Sequence, residues 1–225
     1  MIFGSTTGAF AQSAVDQLGS ADADNLESIS GSHTLVGGDG NDTLIGNGGA
    51  DVLYGGRGDD VFVLNSSNIN ALSSALGQGG NTDQLARLDG GADIDTLRLV
   101  GDDINLDLTQ IASARMKGIE RFDLTGTGNN ILKLSLADLV QMHDAVDQSP
   151  HNMFSSWGGA AANSNRRQFV IDGNHGDALH LVGAGQWDMS GGSIINHGGH
   201  NYVVVNHNTA LVQLLVVETI ARGVV

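Results

Sequence analysis

The sequence predicts an all-β protein built around a parallel β-solenoid, in which short strands alternate with tight turns. Three observations indicate this fold class. The 225 residues include 33 Gly and a single Pro, which favours many turns at positive φ and argues against a Pro-rich linker. A nine-residue unit repeats in residues 37–63, and short alternating apolar segments follow it. A hydrophobic content of 40% is enough for a packed core.

Residues 37–63 divide into three consecutive units, GGDGNDTLI, GNGGADVLY and GGRGDDVFV. Aspartate stands in the sixth place of every unit, and an apolar residue stands in the eighth. The sixth-place residues are Asp42, Asp51 and Asp60, and the eighth-place residues are Leu44, Leu53 and Phe62. A weaker unit begins at Ser28 and has His33 in the sixth place, so we interpret it as a capping coil.

The repeat has a mechanical explanation. Glycines let the backbone turn tightly so that peptide carbonyls point inward, and the last residues of each unit form a short strand whose eighth-place side chain enters the core. Two units complete one coil, so each unit is expected to stack on the unit two further on. The repeat therefore predicts a parallel β-roll, a solenoid of two sheets joined by turns.

The pattern is interrupted at residues 65–88, which we interpret as an insertion, and returns as GGADIDTLR with Asp95 in the sixth place. The chain is accordingly divided into three parts. A lead-in covers residues 1–27, the roll with its insertion covers 28–99, and a β-rich C-terminal cap covers 100–225.

The C-terminal part is expected to contain further strands and one helix. Strand-like segments follow the roll at residues 97–99, 104–108, 122–124, 132–134, 169–171, 179–182 and 202–205. Ser135 and Asp138 form a capping-box signature that predicts a helix up to about Val146. Residues 210–217 fit either a strand or a short helix.

Charge and composition restrict the partners of the chain. The 25 Asp and Glu residues exceed the 10 Lys and Arg residues, and the formal net charge of −15 makes nucleic acid and anionic membrane surfaces poor partners. No apolar run is long enough to span a membrane. With no Cys, any metal must be held by oxygen or imidazole ligands.

The sixth-place carboxylates and the inward carbonyls together predict an oxygen-rich site for Ca²⁺. Calcium fits better than magnesium because six or more oxygens at irregular angles suit the larger ion, whereas zinc prefers His or Cys. Asp42 and Asp60 are expected to share an ion on one edge. If the insertion loops out, Asp95 is expected to meet Asp51 on the other edge, for at least two ions. The expected carbonyl ligands are Gly38, Gly40, Asn47, Gly49, Gly56 and Gly58.

A second turn-like segment, GTGNNILK from Gly126, keeps the turn glycines but places Asn130 where aspartate would stand. An amide cannot supply the charge of a carboxylate. The solenoid is therefore expected to continue through this segment without a bound metal.

Residues 37–63 resemble the RTX repeats of proteins exported by type I secretion. The wider pattern of LDGGADIDTLRL, GIERFDLTGTGNNILKLSLADL and FVIDGNHGDALHL, with a hydrophobic tail, resembles the C-terminal region of large RTX adhesins and biofilm-associated proteins. The resemblance implies a secreted, cell-surface protein whose repeats fold on meeting external calcium. It also implies an uncleaved signal for the type I secretion machinery at roughly residues 203–225.

Two other function classes stay open at this point. One is an adhesive module that binds a glycan or a peptide, in which Trp157 and Trp187 could stack on sugar rings. The other is the non-catalytic C-terminal part of an RTX hydrolase. The sequence contains neither HExxH nor GxSxG, so no enzymatic activity is expected. The histidines beside Gly and Asn are interpreted as turn residues rather than transition-metal ligands; they are His175, His180, His197, His200 and His207.

Overall fold

The computed structural model describes residues 15–82, 84–142, 154–161, 165–183, 185–190 and 192–225, and most of their regular secondary structure is short β-strands. The strands are β1 (Gln17–Leu18), β2 (Asn25–Glu27), β3 (Thr34–Asp39), β4 (Thr43–Ile45), β5 (Val52–Arg57), β6 (Val61–Leu64), β7 (Arg87–Ala92), β8 (Thr96–Leu99), β9 (Asn105–Asp107), β10 (Met116–Lys117), β11 (Arg121–Asp123), β12 (Ile131–Leu134), β13 (Arg167–Asp172), β14 (Ala178–Leu181), β15 (Trp187–Asp188), β16 (Ile194–His197), β17 (His200–His207), β18 (Val212–Val217) and β19 (Ala221–Val224). The α-helices are α1 (Ser66–Ser73) and α2 (Leu136–Met142). Short 3-10 helices occupy Leu108–Gln110, Ser113–Arg115, Ser155–Trp157 and Gly159–Ala161. None of the helices in these ranges is long and apolar enough to cross a membrane.

The strands form three sheets. Sheet A has the order β1-β3-β5-β7-β10, and all of its pairs are parallel. Sheet B has the order β15-β17-β18-β13-β11-β8-β6-β4-β2, with β16 also paired to β17. Sheet C has the order β19-β14-β12-β9 and is parallel throughout. The all-β prediction is confirmed.

The first half of the described chain is a coil that visits sheets A and B in turn. Through β6, residues in neighbouring coils are 18 positions apart, as two nine-residue units require; for example, the backbone N–H of Asp42 donates to the carboxylate of Asp60. The insertion lengthens the next step, from Asp60 to Asp95, to 35 residues. One coil, with β8, β9 and β10, visits all three sheets. Beyond β10, the last strand of sheet A, the coils pass between sheets B and C. Sheet C thus replaces sheet A along the solenoid, which the sequence did not predict.

A column of apolar side chains runs through sheet B and forms the continuous part of the core. Leu44, Phe62 and Leu97 are in register on adjacent strands and are fully buried. The column continues through Phe122 and Ile171 in β11 and β13. Burial of each such side chain contributes about 1.5–3 kcal/mol to folding. The predicted eighth-place positions are thus confirmed as core positions.

The coil begins earlier than the repeat pattern indicated. Strands β1 and β2 lie in the segment interpreted as a lead-in and pair in parallel with β3 and β4. They flank GSADADNLE, a degenerate unit with Asp24 in the sixth place and Leu26 in the eighth. This unit escaped notice because Gly19 is its only glycine.

The described part of the chain has two α-helices, where one was expected. The capping box that predicts α2 is confirmed, since the Asp138 carboxylate accepts the Ser135 N–H at 2.7 Å and the Ser135 hydroxyl accepts the Asp138 N–H at 3.3 Å. The expected continuation of this helix to about Val146 lies outside the described residues. Helix α1 lies in the insertion, where no helix was predicted.

The C-terminal end departs from the parallel pattern. Strands β16, β17 and β18 form an antiparallel set on sheet B, and β15 also pairs with β17 in this sense. Residues 212–217 form strand β18, which resolves the choice between strand and helix in favour of the strand. Every residue of β18 is buried, so the last part of the chain is a component of the core.

Candidate metal centre

Three edges of the solenoid carry the turns between sheets. The first edge joins sheet A to sheet B; its turns are residues 19–24, 37–42, 55–60, 90–95 and 118–120. The second edge joins sheet B to sheet A; its turns are residues 28–33, 46–51 and 65–86. The third edge joins sheet B to sheet C; its turns are residues 100–104, 124–130, 173–177 and 218–220.

A column of acidic residues follows the first edge. In each step, the backbone N–H of one residue donates to a carboxylate oxygen of the next residue in the column, at 2.8–3.0 Å. The column consists of Asp24, Asp42, Asp60, Asp95 and Glu120. The predicted pairing of Asp42 with Asp60 is therefore present, with further acidic residues on both sides of it.

Three of these aspartates each hold one carboxylate oxygen that has no donor. The Oδ2 atoms of Asp42, Asp60 and Asp95 are buried and have no hydrogen-bond partner. The residues themselves are 1%, 0% and 0% exposed. An unpaired buried carboxylate is strongly unfavourable, and natural proteins compensate such a charge with a partner or a metal. The first edge is thus chemically incomplete without a cation.

Backbone carbonyls converge on the same positions. A Cβ added to Gly55, the first residue of its unit, would clash with the Asp60 Oδ2 atom and with the carbonyl oxygen of Gly90 in the next coil. A Cβ at Gly37 would likewise clash with the Asp42 Oδ2 atom and with the carbonyl oxygen of Gly55. Each first-place glycine therefore leaves open a cradle lined by carboxylate and carbonyl oxygens, the donor set that calcium prefers.

The electrostatics of the column point the same way. Burial raises the pKa of Asp60 to about 6, and the charge of Asp42 adds to the effect. Burial raises the pKa of Asp95 to about 9, and the charge of Glu120 adds to it. Both carboxylates resist ionisation because their negative charge lies in a dry, acidic environment. A divalent cation beside these carboxylates would favour their ionised form and lower their pKa values.

The four carbonyl ligands expected on this edge lie in its turns. Gly38, Gly40, Gly56 and Gly58 all have positive φ, between 106° and 126°. A Cβ at Gly56 would clash with the Gly38 carbonyl of the preceding coil, so only glycine fits there. The first-place carbonyls, such as that of Gly55, were missed by the sequence reasoning, although the GG pair at the start of each unit marks them.

The predicted meeting of Asp51 with Asp95 is wrong. Strand β7 pairs with β5, so that Leu88 lies beside Leu53, and Asp95 consequently stacks on Asp60. The insertion does not simply loop out, because its last residues return to sheet A and provide the missing half coil. The unit from Gly90 therefore falls on the first edge rather than the second.

On the second edge, both oxygens of Asp51 have donors. Oδ1 accepts the backbone N–H of His33 at 2.9 Å, and Oδ2 accepts the side-chain amide of Asn68 at 2.8 Å. Asn68 belongs to α1, where it forms a capping box with Asn65. The amide also lies beside Gly46, the first-place glycine of this turn. The insertion thus supplies a neutral donor at the position that corresponds to the open cradles of the first edge.

The two remaining carbonyl ligands predicted from sequence, Asn47 and Gly49, lie in this second-edge turn. Their role as ligands stays a prediction. They are on the opposite side of the coil from the unpaired oxygens of the first edge. Burial raises the pKa of Asp51 to about 7, against the hydrogen bonds from His33 and Asn68 that lower it.

On the third edge, the side chains of Asn130 and Asp177 form hydrogen bonds with the backbone of the turns. The Asn130 amide accepts the Ile104 N–H at 2.8 Å and donates to the carbonyls of Leu124 and Thr127 at 3.0 and 3.2 Å. The two oxygens of Asp177 accept backbone N–H groups, those of residues 130 and 174. The expectation that the solenoid continues past Asn130 is confirmed by β12 and β14.

The described tryptophans, with His197 and His207, pack against neighbouring rings or bond within turns. Among the described residues, no group of three or more His, Asp or Glu side chains is placed to hold a metal, so carbonyl oxygens must complete any coordination shell. His207 is buried, and its Nδ1 atom accepts the Ala210 N–H. Trp187 is only 4% exposed, and the ring of His197 stacks on Trp157 at 4.0 Å. Trp187 therefore has no exposed ring for a sugar to stack on, and His197 covers one face of Trp157.

The fold and the first edge together define a calcium-binding β-solenoid. Residues 30–62 match the family model of the RTX calcium-binding nonapeptide repeat, in four copies. Repeats of this kind bind calcium ions, so Ca²⁺ is the cofactor of this part of the chain. The chain has no significant sequence match among curated proteins.

Proposed function

We propose that this chain is a non-enzymatic calcium-binding module that folds on meeting calcium outside the cell and carries the type I secretion signal of a large bacterial surface adhesin. The observation that carries the calcium part is the row of unpaired, buried Oδ2 atoms on Asp42, Asp60 and Asp95. The buried charge of such a row must be compensated by protons or by cations, and a divalent cation compensates it at neutral pH without protonation.

Two ions follow from the geometry of the repeats. The first lies between the turns at 37–42 and 55–60, with ligands from Asp42, Asp60 and the Gly55 carbonyl. The second lies between the turns at 55–60 and 90–95, with ligands from Asp60, Asp95 and the Gly90 carbonyl. The carbonyls of Gly38, Gly40, Gly56 and Gly58 complete the six to eight oxygens that calcium requires.

Calcium and folding are coupled because the sites exist only when coils are stacked. Each ion that binds the folded chain alone stabilises it by RT ln(1 + [L]/Kd), about 2.7 kcal/mol at a hundredfold excess of calcium over Kd. Without calcium, the buried carboxylates oppose stacking. In the calcium-poor cytoplasm the folded state is only partly populated, and calcium outside the cell shifts the equilibrium towards it.

The proposed export signal, residues 203–225, depends on this coupling. In the folded chain the segment forms most of β17 and all of β18 and β19, and β18 is buried throughout. A transport machine can read such a segment only while the chain is unfolded. Calcium-dependent folding would keep the signal accessible inside the cell and bury it outside, consistent with the secretion that is typical of RTX repeat proteins.

Circular dichroism of the full chain in chelator and in millimolar calcium tests the calcium part. The expected result is a gain of β-structure with calcium that is lost in the double variant Asp42→Asn with Asp60→Asn. A chain equally folded in chelator, or a double variant that still responds fully, would overturn the proposal.

Export is tested by fusing residues 203–225 to the C-terminus of a small reporter in a bacterium with a matching type I system. The reporter is expected in the medium. A matched fusion of residues 17–39, which form β1 and β3 of sheet A and β2 of sheet B, serves as the control. Equal retention of both fusions in the cytoplasm would refute the signal assignment.

A further inference from the structure

The acidic column continues past the nonapeptides. The turn at 118–120 is only a short link between β10 and β11, and it contains no repeat motif. Nevertheless, an oxygen of the Glu120 carboxylate accepts the Asp95 N–H at 3.0 Å. This is the contact that each sixth-place aspartate makes with the coil before it, as Asp95 does with Asp60 at 2.9 Å. Glu120 therefore stands in the aspartate position of a coil that lacks the repeat.

The cradle is repeated at this step as well. A Cβ at Gly90 would clash with the Asp95 Oδ2 atom and with the Gly118 carbonyl, as a Cβ at Gly55 would clash with its own aspartate and the Gly90 carbonyl. Asp95 is 0% exposed, and its Oδ2 atom has no hydrogen-bond partner. An unpaired buried oxygen and a carbonyl from the next coil thus converge once more.

We propose a third calcium site, formed by the Asp95 carboxylate, the Gly118 carbonyl and the Glu120 carboxylate. The site rests on the proposed calcium-binding function and extends it beyond residues 30–62, which carry the recognised repeats. It uses a glutamate and a three-residue turn in place of a nonapeptide. Oxygen ligands of both charged and carbonyl type are what Ca²⁺ requires, and the longer glutamate side chain offsets the shorter turn.

The site has a structural consequence for the C-terminal part. Gly118 follows β10, the last strand of sheet A, and its N–H donates to the carbonyl of Met142 at the end of α2 at 2.7 Å. Glu120 directly precedes Arg121, with which β11 begins. An ion at this step would join the last two-unit coil to the coil that carries β11, β12 and α2. Calcium would then order the start of the C-terminal part as well as the repeats.

Isothermal titration calorimetry with CaCl₂ on the full chain tests the site. In Glu120→Gln, one ion is expected to disappear from the isotherm or to bind about 10-fold to 100-fold more weakly, while the other ions bind as before. Glu218→Gln is the matched control, because Glu218 is exposed on the third edge and its carboxylate accepts the side-chain amide of Asn201. It is expected to bind calcium as the unaltered chain does.

The outcomes separate this inference from the function on which it rests. An unaltered chain that binds calcium, together with an unchanged isotherm for Glu120→Gln, overturns the third site and leaves the function intact. An unaltered chain that binds no calcium overturns both. If Glu120→Gln does not fold, hydrogen exchange on the unaltered chain decides: residues 116–123 must gain protection with calcium, and protection confined to residues 37–95 overturns the third site.

Discussion

The first and second edges of the solenoid carry the same sixth-place aspartate in two different settings. Asp60, on the first edge, keeps one buried oxygen without a donor, whereas Asp51, on the second, has both oxygens bonded. The difference comes from the next coil. On the first edge a turn of the same type follows, with another carbonyl and another carboxylate. On the second edge the inserted helix follows, with the Asn68 amide.

On the third edge, too, a side-chain amide stands where the first edge has open oxygens. There the sixth-place residue is Asn130, whose own amide donates to the carbonyls of Leu124 and Thr127. An amide nitrogen can take the position of a cation because it satisfies oxygen lone pairs, although it neutralises no charge. The comparison predicts that a sixth-place aspartate binds calcium only where no neutral donor already reaches its carboxylate.

The largest expected effect is on the pH dependence of the calcium-free chain. Burial raises the pKa of Asp60 to about 6 and that of Asp95 to about 9, so the folded chain holds more protons than the unfolded chain above about pH 4. Stability without calcium must therefore fall as the pH rises through this window. With calcium bound, protons compete with the ion, and calcium stabilises the fold more as the pH rises.

Urea unfolding in calcium-free buffer at about pH 5 and about pH 8 measures this effect. Asp60→Asn is the control, since it removes one of the raised groups and should flatten the profile. A calcium-free chain that is more stable at the higher pH would contradict the first-edge account.

The next effect is that of Asp60→Asn on the free energy of unfolding, which should change sign between chelator and calcium. In chelator the variant should be more stable than the unaltered chain, because a neutral amide replaces a buried charge. In a hundredfold excess of calcium it should be less stable, by about 2.7 kcal/mol for each site lost. Urea unfolding of the variant and of the unaltered chain, in chelator and in calcium, measures both differences in stability.

Asp51→Asn provides the contrast on the other edge. It changes the same side chain at the same place of the repeat, but its calcium-dependent stabilisation should equal that of the unaltered chain. If Asp51→Asn and Asp60→Asn lose calcium response equally, the two edges are equivalent and the comparison fails.

Asn68→Asp should give the second edge the paired carboxylates that characterise the first edge. The Asn68 amide lies 2.8 Å from the Asp51 oxygen, so a carboxylate there places two like charges in contact. The variant should lose stability in chelator and recover it in calcium, with one additional ion per chain in a calorimetric titration. Asn70→Asp makes the same charge change at an exposed position of α1 and should bind no extra ion. Identical titrations for the two variants would exclude Asn68 as the substitute for a cation.

The smallest expected effect is that of Asn130→Ala on the third edge. Loss of the amide leaves the buried backbone groups of Ile104 and Leu124 unpaired, at a cost of about 1–3 kcal/mol. The cost should be the same in calcium and in chelator. Thermal unfolding compares it with the exposed neighbour Asn129→Ala, which should change stability by less than about 0.5 kcal/mol. A strong calcium dependence in Asn130→Ala would place an ion on this edge.

The predictable part of the fold is the part in which a regular period sets the register. The step of 18 residues places Asp42 beside Asp60, and it places Leu44 beside Phe62 in the core. Both follow from the spacing of Gly, Asp and Leu alone. The capping box at Ser135 is equally local, because it needs only two side chains three residues apart.

The unpredicted part depends on the insertion. Its sequence does not reveal how many residues return to sheet A, and that number decides whether Asp95 meets Asp51 or Asp60. Asn65 and Asn68 form a capping box without the usual Ser or Thr and Glu, so α1 was not recognised. Sheet C and Glu120 were missed because their coils are not nine-residue units, and only the tertiary register reveals them.

The most direct test of the account is a crystal structure grown in calcium, with anomalous scattering used to locate the ions. The account predicts peaks on the first edge, between Asp42 and the Gly55 carbonyl and between Asp60 and the Gly90 carbonyl. It predicts no peak beside Asp51, whose oxygen is bonded to Asn68. An ion at Asp51, or a first edge without ions, would contradict the central claim that calcium binds along one edge of this solenoid.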